Sequence, residues 1–301
     1  MYSFTRILCP TDFSDAADSA IRYAAFLSQH AKGHLRLFHV DEHEKEPLGH
    51  FARSDADRER HARELKDFTD VRFAEVAARL GLPADRTSFQ VRGGTSYQEI
   101  IHEAEENRYS VVVIATKGLG QSSPHLLGRT VERVVRLCRA PVITLRPPDA
   151  LAPLKISTIL CPTDFSEYAN YALPYATSLA RRYKAKIILI HTTDLMVQHP
   201  ELLLDKFPDL TDYDEQSGTV PVERLVGRDV EPENTIVRIA EEYGADLIVM
   251  GTHGARGMRR VQIGNTTEEV VRRTDIPVLT ITHPIHKTIF PKRFVHEYDD
   301  P

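Results

Sequence analysis

The chain contains the same eight-residue string twice. ILCPTDFS occupies Ile7–Ser14 and returns at Ile159–Ser166, 152 residues further on. A later pair of segments also matches, VVVIATKG at Val111–Gly118 and LIVMGTHG at Leu247–Gly254. Self-similarity over such distances indicates one structural unit that is present twice. The chain is therefore restricted to two domains of the same fold.

The repeat also predicts where the domains begin and end. We expect domain 1 at residues 1–146, a linker at 147–155, domain 2 at 156–282 and a C-terminal tail at 283–301. The linker is rich in proline, which is typical of a connecting segment. A chain of 301 residues suits two domains, at roughly 100–200 residues each.

Strand-like and helix-like segments alternate along each copy. In domain 2, Ile156–Cys161 and Asp246–Met250 are short apolar runs of the kind that form strands. Glu167–Tyr183 has apolar residues at helical spacing and predicts one helix, and Thr266–Thr274 predicts another. Alternating strands and helices imply an α/β fold, in which helices cover both faces of a parallel sheet.

Domain 1 contains an additional long segment with helical spacing. Ser54–Leu80 predicts a helix whose inward side is formed by Leu65, Phe68, Val71, Val76 and Leu80. The corresponding segment of domain 2, Asp194–Gly218, contains two prolines and little periodicity, and it predicts a short helix and a loop.

Composition excludes several classes of function. The formal net charge of −5 and the isoelectric point near 6.3 argue against sequence-independent binding of DNA or RNA. We also expect no membrane span, because no apolar run reaches about 18 residues, and the first residues do not resemble a secretory signal. Three cysteines do not suggest a disulfide framework. These features favour a cytoplasmic protein with buried, reduced cysteines.

One loop in domain 2 has the composition of a phosphate site. Gly251-Thr-His-Gly254 is followed by nine residues and then by Gly264-Asn265-Thr266, which enters a helix. Glycines let the backbone approach a ligand, and the N–H groups at a helix start attract anions. We predict that Asn265 caps the helix and that Glu268 completes a capping box. Three arginines in between could reach phosphate: Arg256, Arg259 and Arg260. The alternative is a glycine-rich turn before an ordinary capped helix.

This spacing resembles the universal stress protein family, whose ATP-binding members carry G-x2-G-x9-G-[ST]. The Pro-Thr-Asp after the first strand and the order of elements are also similar, over nearly the whole chain and once per copy. The resemblance implies two doubly wound five-stranded parallel sheets in tandem, similar to adenine nucleotide alpha hydrolases, with strand order 3-2-1-4-5. It further implies a bound adenine nucleotide, ATP with Mg²⁺.

The resemblance also implies roles for residues of domain 2. Asp164 would contact the nucleoside, the backbone around Thr192 would meet adenine, and Met250 would line the base. The full candidate set in domain 2 is Pro162, Thr163, Asp164, Thr192, Met250, Gly251, His253, Gly254, Gly264, Asn265 and Thr266. Asn265 departs from the family pattern, which has Ser or Thr there. Asp164 could instead be a helix cap, but its place where the strand order switches favours a ligand role.

Domain 1 departs further from the family pattern. The candidate set by the same positions is Pro10, Thr11, Asp12, Val40, Ala115, Gly118, Gly128, Arg129 and Thr130. Ala115 replaces the first glycine, and Arg129 stands at the Ser/Thr position. Arg129 could bind a phosphate, or its own guanidinium could fill the site. We therefore expect nucleotide mainly in domain 2.

Three functional hypotheses follow. The first is a stress-response protein in which ATP acts as a regulatory ligand. The second is a protein-interaction module that does not depend on nucleotide. The third is an enzyme, a slow ATPase or a nucleotidyl-transfer enzyme, although no Ser-His-Asp or Cys-His arrangement has a recognisable context.

The histidines have ordinary interpretations beside functional ones. His39 and His191 are equivalent in the two copies, and we predict structural roles because a metal needs several converging ligands. His253 could touch phosphate or be exposed and idle. The tail histidines His283, His286 and His296 could bind zinc, but no cysteine accompanies them.

The last strands of the two copies predict how the domains associate. In the family such strands commonly pair, and here Val142–Leu145 and Val278–Ile281 can pair within one chain. That pairing would form an intramolecular pseudo-dimer and cover two sheet edges. Whether two chains form a homodimer stays open.

Overall fold

A computed structural model describes residues 2–42, 55–116, 127–146, 154–213, 218–254 and 264–283, apart from the side chains of 55–59, 61 and 62. Domain 1 consists of β1 (Arg6–Pro10), α1 (Asp15–Ala31), β2 (His34–Asp41), α2 (Asp55–Leu80), β3 (Thr87–Gly93), α3 (Ser96–Glu106), β4 (Val111–Ala115), α4 (Arg129–Leu137) and β5 (Val142–Leu145).

Domain 2 repeats this order with two changes. Its elements are β6 (Thr158–Pro162), α5 (Glu167–Asn170), α6 (Leu173–Tyr183), β7 (Lys186–Thr193), β8 (Val222–Arg228), α7 (Pro232–Glu242), β9 (Leu247–Gly251), α8 (Asn265–Arg273) and β10 (Val278–Ile281). Two helices stand where domain 1 has α1, and the 3₁₀ helices Pro200–Lys206 and Leu210–Asp212 stand where domain 1 has α2.

The ten strands form one continuous sheet, in the order β3-β2-β1-β4-β5-β10-β9-β6-β7-β8. Within each half the strands are parallel and follow the order 3-2-1-4-5, which confirms the α/β fold and the predicted strand order. The halves meet where β5 and β10 pair antiparallel, with Ile143 opposite Leu279. The predicted pairing of the last strands within one chain is confirmed.

The sheet is buried on both faces because helices cover both. On one face α1, α2 and α6 share a single apolar core that extends through both domains and includes Ile143 and Leu279. On the other face each domain has its own core, under α3 and α4 in domain 1 and under α7 and α8 in domain 2. Leu127 packs against both of these separate cores.

Polar and aromatic contacts reinforce the junction between the domains. The rings of Tyr2 and Tyr175 stack with centroids 4.0 Å apart. Arg182 donates to the carbonyl oxygen of His30 at 3.2 Å and to Ser3 Oγ at 2.8 Å. Helices α1 and α6 are therefore held together beside the shared core.

Two predicted helices differ from the structure. The single helix predicted over Glu167–Tyr183 is divided into α5 and α6, because Pro174 lies in the first turn of α6 and cannot donate the hydrogen bond that a continuous helix needs. The equivalent residue of domain 1 is Arg22, and α1 is continuous. In α2 the prediction was wrong for Phe68 and Val71, which are exposed, while Val76 is buried.

The cysteines occupy the apolar interior as predicted. Cys9, Cys138 and Cys161 are all free and buried. Burial raises the pKa of the Cys138 thiol to about 12, because a thiolate is disfavoured in apolar surroundings. Among the described residues, no helix has the length and apolar character needed to cross a membrane.

We predict that Leu279→Ala destabilises the chain by about 2–5 kcal/mol, the usual cost of such a cavity in a core. Because Leu279 lies in the core that both domains share, a single unfolding transition should move to lower denaturant concentration. Far-UV circular dichroism in urea measures this. Leu202→Ala, at an exposed position, is the control and should leave the transition in place. Two separate transitions, of which one shifts, would contradict a shared core.

Candidate functional site

The candidate site of domain 2 lies where the strand order switches. β6 pairs with β7 on one side and with β9 on the other, so the loops that follow β6 and β9 emerge next to each other. The structure brings Asp164 and Gly254 into contact across these loops. A Cβ atom at Gly254 would lie only 2.3 Å from Oδ2 of Asp164. The absence of a side chain at Gly254 therefore creates the room that the carboxylate occupies.

The loop after β6 has an unusual backbone that its own side chains stabilise. Phe165 has a φ of 65°, which is rare for a residue other than glycine. Its N–H donates to Thr163 Oγ1 at 2.9 Å, and the N–H of Ser166 donates to Asp164 Oδ1 at 3.0 Å. Ser166 Oγ then caps α5 by accepting from the N–H of Ala169. The cap is therefore Ser166, and the interpretation of Asp164 as the helix cap was wrong.

Domain 1 builds the same loop. Phe13 has a φ of 62°, and the N–H of Ser14 donates to Asp12 Oδ1 at 3.1 Å. Thr11 Oγ1 accepts from the N–H of Phe13 at 3.0 Å. Repetition of the turn in both domains shows that its geometry is encoded by the Thr-Asp-Phe-Ser sequence. The turn itself does not distinguish a binding domain from a non-binding one.

His39 and His191 support these turns. Nδ1 of His191 donates to the carbonyl oxygen of Thr163 at 2.9 Å, and Nδ1 of His39 donates to that of Thr11 at 2.9 Å. Each ring also packs on the phenylalanine of the turn, with centroids 4.2 Å apart for His191 and 4.8 Å apart for His39. The predicted structural role of both histidines is confirmed.

Helix α8 begins one residue earlier than predicted. Gly264 is the N-cap, with φ −62° and ψ 139°, and its N–H donates to the carbonyl oxygen of Thr252 at 2.7 Å. Asn265 is the first helical residue, so the prediction that it caps the helix was wrong. The predicted capping box does not form either, because the Glu268 carboxylate pairs with Arg272 one turn further along α8. The hydrogen bond to Thr252 fixes where the helix starts.

This start leaves backbone donors for an anion. The first N–H groups of a helix have no partner within the helix. No described residue accepts a hydrogen bond from the N–H of Asn265 or Thr266. The N–H of Gly264 is already engaged with Thr252, so the outward-facing donors begin at Asn265. Together with the positive end of the helix dipole they form a site that favours negative charge.

The first part of the glycine loop is closely packed. A Cβ atom at Gly251 would lie 2.8 Å from the carbonyl oxygen of Tyr168 in α5. Thr267 Oγ1 donates to the carbonyl oxygen of Gly251 at 2.9 Å, which ties α8 to the end of β9. His253 is only 6% exposed and is hydrogen-bonded through Nδ1 to Thr252 Oγ1 at 2.9 Å. The interpretation of His253 as an exposed residue was therefore wrong.

Three further candidate residues of domain 2 lie at the ends of neighbouring strands. Met250 is buried at the end of β9 and packs in the core under α7 and α8. Thr192 lies near the end of β7, in register with Gly227 of β8. Pro162 ends β6 between these strands. The structure thus places Met250, Pro162 and Thr192 at the carboxyl ends of three adjacent strands.

In domain 1 the same framework carries different side chains. Ala115 is buried at the end of β4, where domain 2 has Gly251. Gly128 is the N-cap of α4, and its N–H donates to the carbonyl oxygen of Thr116 at 3.1 Å. Arg129 is the first residue of α4 and is exposed, and Thr130 follows it. Val40 packs against the core under α3 and α4.

The described residues do not include every residue of the predicted site. Gly118, the loop arginines Arg256, Arg259 and Arg260, and the tail histidines His286 and His296 lie outside the described residues. His283 contacts the rings of Tyr168 and Tyr171.

Thr252 anchors the start of α8 through its carbonyl oxygen, and it was not predicted as a site residue. Its equivalent Thr116 in domain 1 is the signal that could have revealed it.

We predict that Gly251→Ala lowers stability by about 1–3 kcal/mol, the usual cost of overpacking. The added methyl group would meet the backbone of α5, which cannot move as freely as a side chain. Thermal unfolding measures the loss as a lower Tm. Gly218→Ala, where an added Cβ meets no atom within 4 Å, is the matched control and should keep the Tm. An unchanged Tm for Gly251→Ala would show that α5 is not held against β9.

Comparison with known proteins gives one consistent family. The model of the universal stress protein family matches residues 3–146 and again 155–282. A universal stress protein of Synechocystis sp. is 26% identical over 296 residues, which covers 91% of this chain and 98% of that protein. Universal stress protein G of Shigella flexneri is 30% identical over 146 residues, 48% of this chain and 99% of that protein.

A solved structure shares the whole architecture. The crystal structure of a universal stress protein from Archaeoglobus fulgidus aligns with a TM-score of 0.69 at 22% identity, covering 93% of this chain and 98% of that one. At this identity the likeness shows the fold, and the family model supplies the assignment. The chain belongs to the universal stress protein family, as a member with two copies of the family domain.

Proposed function

We propose that this protein acts in the stress response by binding ATP in domain 2 as a regulatory ligand. The observation that carries the proposal is the contact between Asp164 and Gly254, which joins the loop after β6 to the glycine loop. An acceptor for ribose hydroxyls and a surface of backbone donors then lie side by side. This combination suits a ligand with a sugar at one end and phosphates at the other.

The domain 2 site offers a carboxylate at one side and backbone N–H groups at the other. Asp164 Oδ1 is held by Ser166, while Oδ2 lies against Gly254 and is directed toward the glycine loop. The N–H groups of Asn265 and Thr266 offer charge-assisted hydrogen bonds to phosphate oxygens. Gly254 allows the backbone to approach those phosphates without a Cβ atom in the way.

The chain's own residues suit Mg²⁺ only as a partner of phosphate. Among the described residues, no group of three or more His, Cys, Asp or Glu side chains is placed to hold a metal ion. Mg²⁺ usually keeps several waters and binds through one or two carboxylates and the phosphates of its ligand. A Mg²⁺ ion bound together with ATP would neutralise phosphate charge, and Asp164 is a carboxylate that lies against the glycine loop at Gly254.

Domain 1 is proposed to have lost or altered this site. Ala115 replaces the glycine at the end of the central strand, and Arg129 occupies the first turn of α4. The turn with Asp12 and the anchored helix start remain. The framework has therefore been kept, and the residues that would face a nucleotide have changed.

We predict that Asp164→Asn weakens ATP binding by roughly 10–100-fold, the effect of losing a hydrogen bond to a charged acceptor. Asn keeps an oxygen for the N–H of Ser166, so the turn should survive. Isothermal titration calorimetry with ATP and Mg²⁺ measures the affinity. A rise in Tm with millimolar ATP gives a second readout, because a ligand at 100 times its Kd stabilises by about 2.7 kcal/mol.

Asp12→Asn makes the same change in domain 1 and shows which domain binds. If domain 2 holds the nucleotide, only Asp164→Asn changes the affinity. An equal loss in the two variants, or a loss confined to Asp12→Asn, would contradict the assignment to domain 2. Wild-type protein that shows no heat of binding and no Tm shift would overturn the proposed function. Phosphate release faster than about 1 s⁻¹ would make the protein an ATPase and overturn the regulatory role.

A further inference from the structure

Three apolar side chains just beyond the carboxyl ends of β7 and β8 are largely exposed. Leu195 is 56% exposed, Met196 is 85% exposed and Val230 is 73% exposed. Leu195 and Met196 follow β7, and Val230 follows β8. Single exposed apolar residues are ordinary, whereas a group of neighbouring ones is typical of an interaction site. We call these three residues the apolar surface.

Two hydrogen bonds bring the parts of the apolar surface together. The N–H of Asp229 donates to the carbonyl oxygen of Thr193 at 3.1 Å. The guanidinium of Arg228 donates to the carbonyl oxygen of Val197. The segment that follows β7 is therefore held beside the segment that follows β8, so that its two exposed apolar residues lie near Val230.

Acidic residues surround the apolar surface. The segments 194–206 and 228–231 together contain five acidic residues against two basic ones. The acidic residues are Asp194, Glu201, Asp205, Asp229 and Glu231, and the basic ones are Lys206 and Arg228. Glu231 also pairs with Arg273 of α8, which leaves the surroundings negative. A partner for this surface therefore needs apolar side chains together with positive charge.

One segment of this chain has that composition. Residues 284–296, which we call the tail segment, contain three basic residues and no acidic residue. The basic residues are Lys287, Lys292 and Arg293, and five apolar residues accompany them: Ile285, Ile289, Phe290, Phe294 and Val295. The tail segment thus complements both the apolar surface and the acidic residues around it.

The tail segment starts at the end of the sheet where the apolar surface lies. β10, β9, β6, β7 and β8 are consecutive neighbours and run parallel, so the chain leaves β10 at the edge where β7 and β8 also end. Neighbouring strands lie about 4.8 Å apart, so β10 and β8 are separated by roughly 19 Å. An extended chain advances about 3.3 Å per residue, and the tail segment can span up to roughly 43 Å. It is therefore long enough to reach the apolar surface.

The last described residue already lies in the direction of that surface. The ring of His283 contacts the rings of Tyr168 and Tyr171, with centroids 5.2 Å and 4.7 Å apart. Tyr168 belongs to α5, which follows β6. The chain therefore leaves β10 toward β6, and β7 and β8 are the next strands on that side.

We propose that the tail segment binds the apolar surface of its own chain. Its aromatic and aliphatic side chains cover Leu195, Met196 and Val230, and its basic residues lie among the surrounding carboxylates. On the way from β10 it passes the loops that follow β9 and β6, beside the candidate nucleotide site. The interaction requires no nucleotide, so it can hold or fail independently of the proposed function.

A single tryptophan can report on this interaction, because the chain contains none. Tryptophan emits at shorter wavelength in apolar surroundings than in water. Phe294→Trp in the full chain should therefore emit at shorter wavelength under native conditions than in urea, and acrylamide should quench the native emission less. Both measurements are made without nucleotide.

Substitutions in the apolar surface show where the tail segment binds. Met196→Lys or Val230→Lys, each combined with Phe294→Trp, removes an apolar contact and repels the basic residues. Each should move the emission toward that of the unfolded chain and increase quenching. Val71→Lys is the matched control, because Val71 is an apolar residue of α2 in domain 1 that is 58% exposed. It should leave emission and quenching unchanged.

Charge makes a separate contribution that can be measured in the same way. Lys292→Glu together with Arg293→Glu replaces attraction by repulsion and should also expose the tryptophan. Salt at roughly 1 M, where the screening length falls to about 3 Å, should move the emission of the Phe294→Trp protein in the same direction. A shift that ignores both charge and salt would contradict the role given to the carboxylates.

The remaining outcomes overturn the proposal. Native emission of the Phe294→Trp protein that equals its emission in urea would show that the tail segment is not bound. Short-wavelength emission that persists in both lysine variants would place it elsewhere on the protein. Emission that moves to longer wavelength on dilution would assign the apolar surface to the tail segment of a second copy.

Discussion

The antiparallel pairing of β5 with β10 is the contact on which the rest of the structure depends. It joins two five-stranded sheets into one and covers an edge of each, so that neither domain presents that strand to solvent. Thr144 and Thr280 add side-chain hydrogen bonds across the pairing, to the carbonyl oxygens of Val278 and Val142. Because the chain satisfies this edge internally, any homodimer has to use another surface.

The same pairing separates the two candidate sites. Each site lies at the carboxyl ends of parallel strands, and the two sets of strands run in opposite directions on either side of β5 and β10. The loops after β1 and β4 therefore emerge at one end of the sheet, and the loops after β6 and β9 emerge at the other. The contacts described for the domain 2 site, Asp164 with Gly254 and Gly264 with Thr252, lie within that domain. A substitution such as Ala115 for glycine in domain 1 leaves the domain 2 site intact, which allows the copies to diverge.

Much of the fold follows from the sequence because the repeat and the apolar periodicity are strong signals. The strands, their order and the pairing of the last strands were predicted correctly. The errors occurred where a single tertiary contact decided the outcome. Asn265 is a good capping residue by type, yet the hydrogen bond from Gly264 to Thr252 starts the helix earlier. The helical spacing of apolar residues predicted that Phe68 is buried, but Phe68 lies on the exposed side of α2.

The two domains share the residues that shape the loop after the first strand, and they differ in the residues under α3 and α7. The turns with Phe13 and Phe165 are the same, and each has its histidine. Under α3, by contrast, domain 1 buries Glu103, which accepts from Tyr109 and pairs with Arg92. Burial and this carboxylate raise the pKa of Tyr109 to about 12. Domain 2 has Ile239 and Ala245 at the matching positions, within an ordinary apolar core. A buried carboxylate is stable only where partners compensate its charge, so Glu103, Tyr109 and Arg92 have to be kept together. The core under α7 and α8 is apolar instead, so the two domains keep one backbone framework around different interiors.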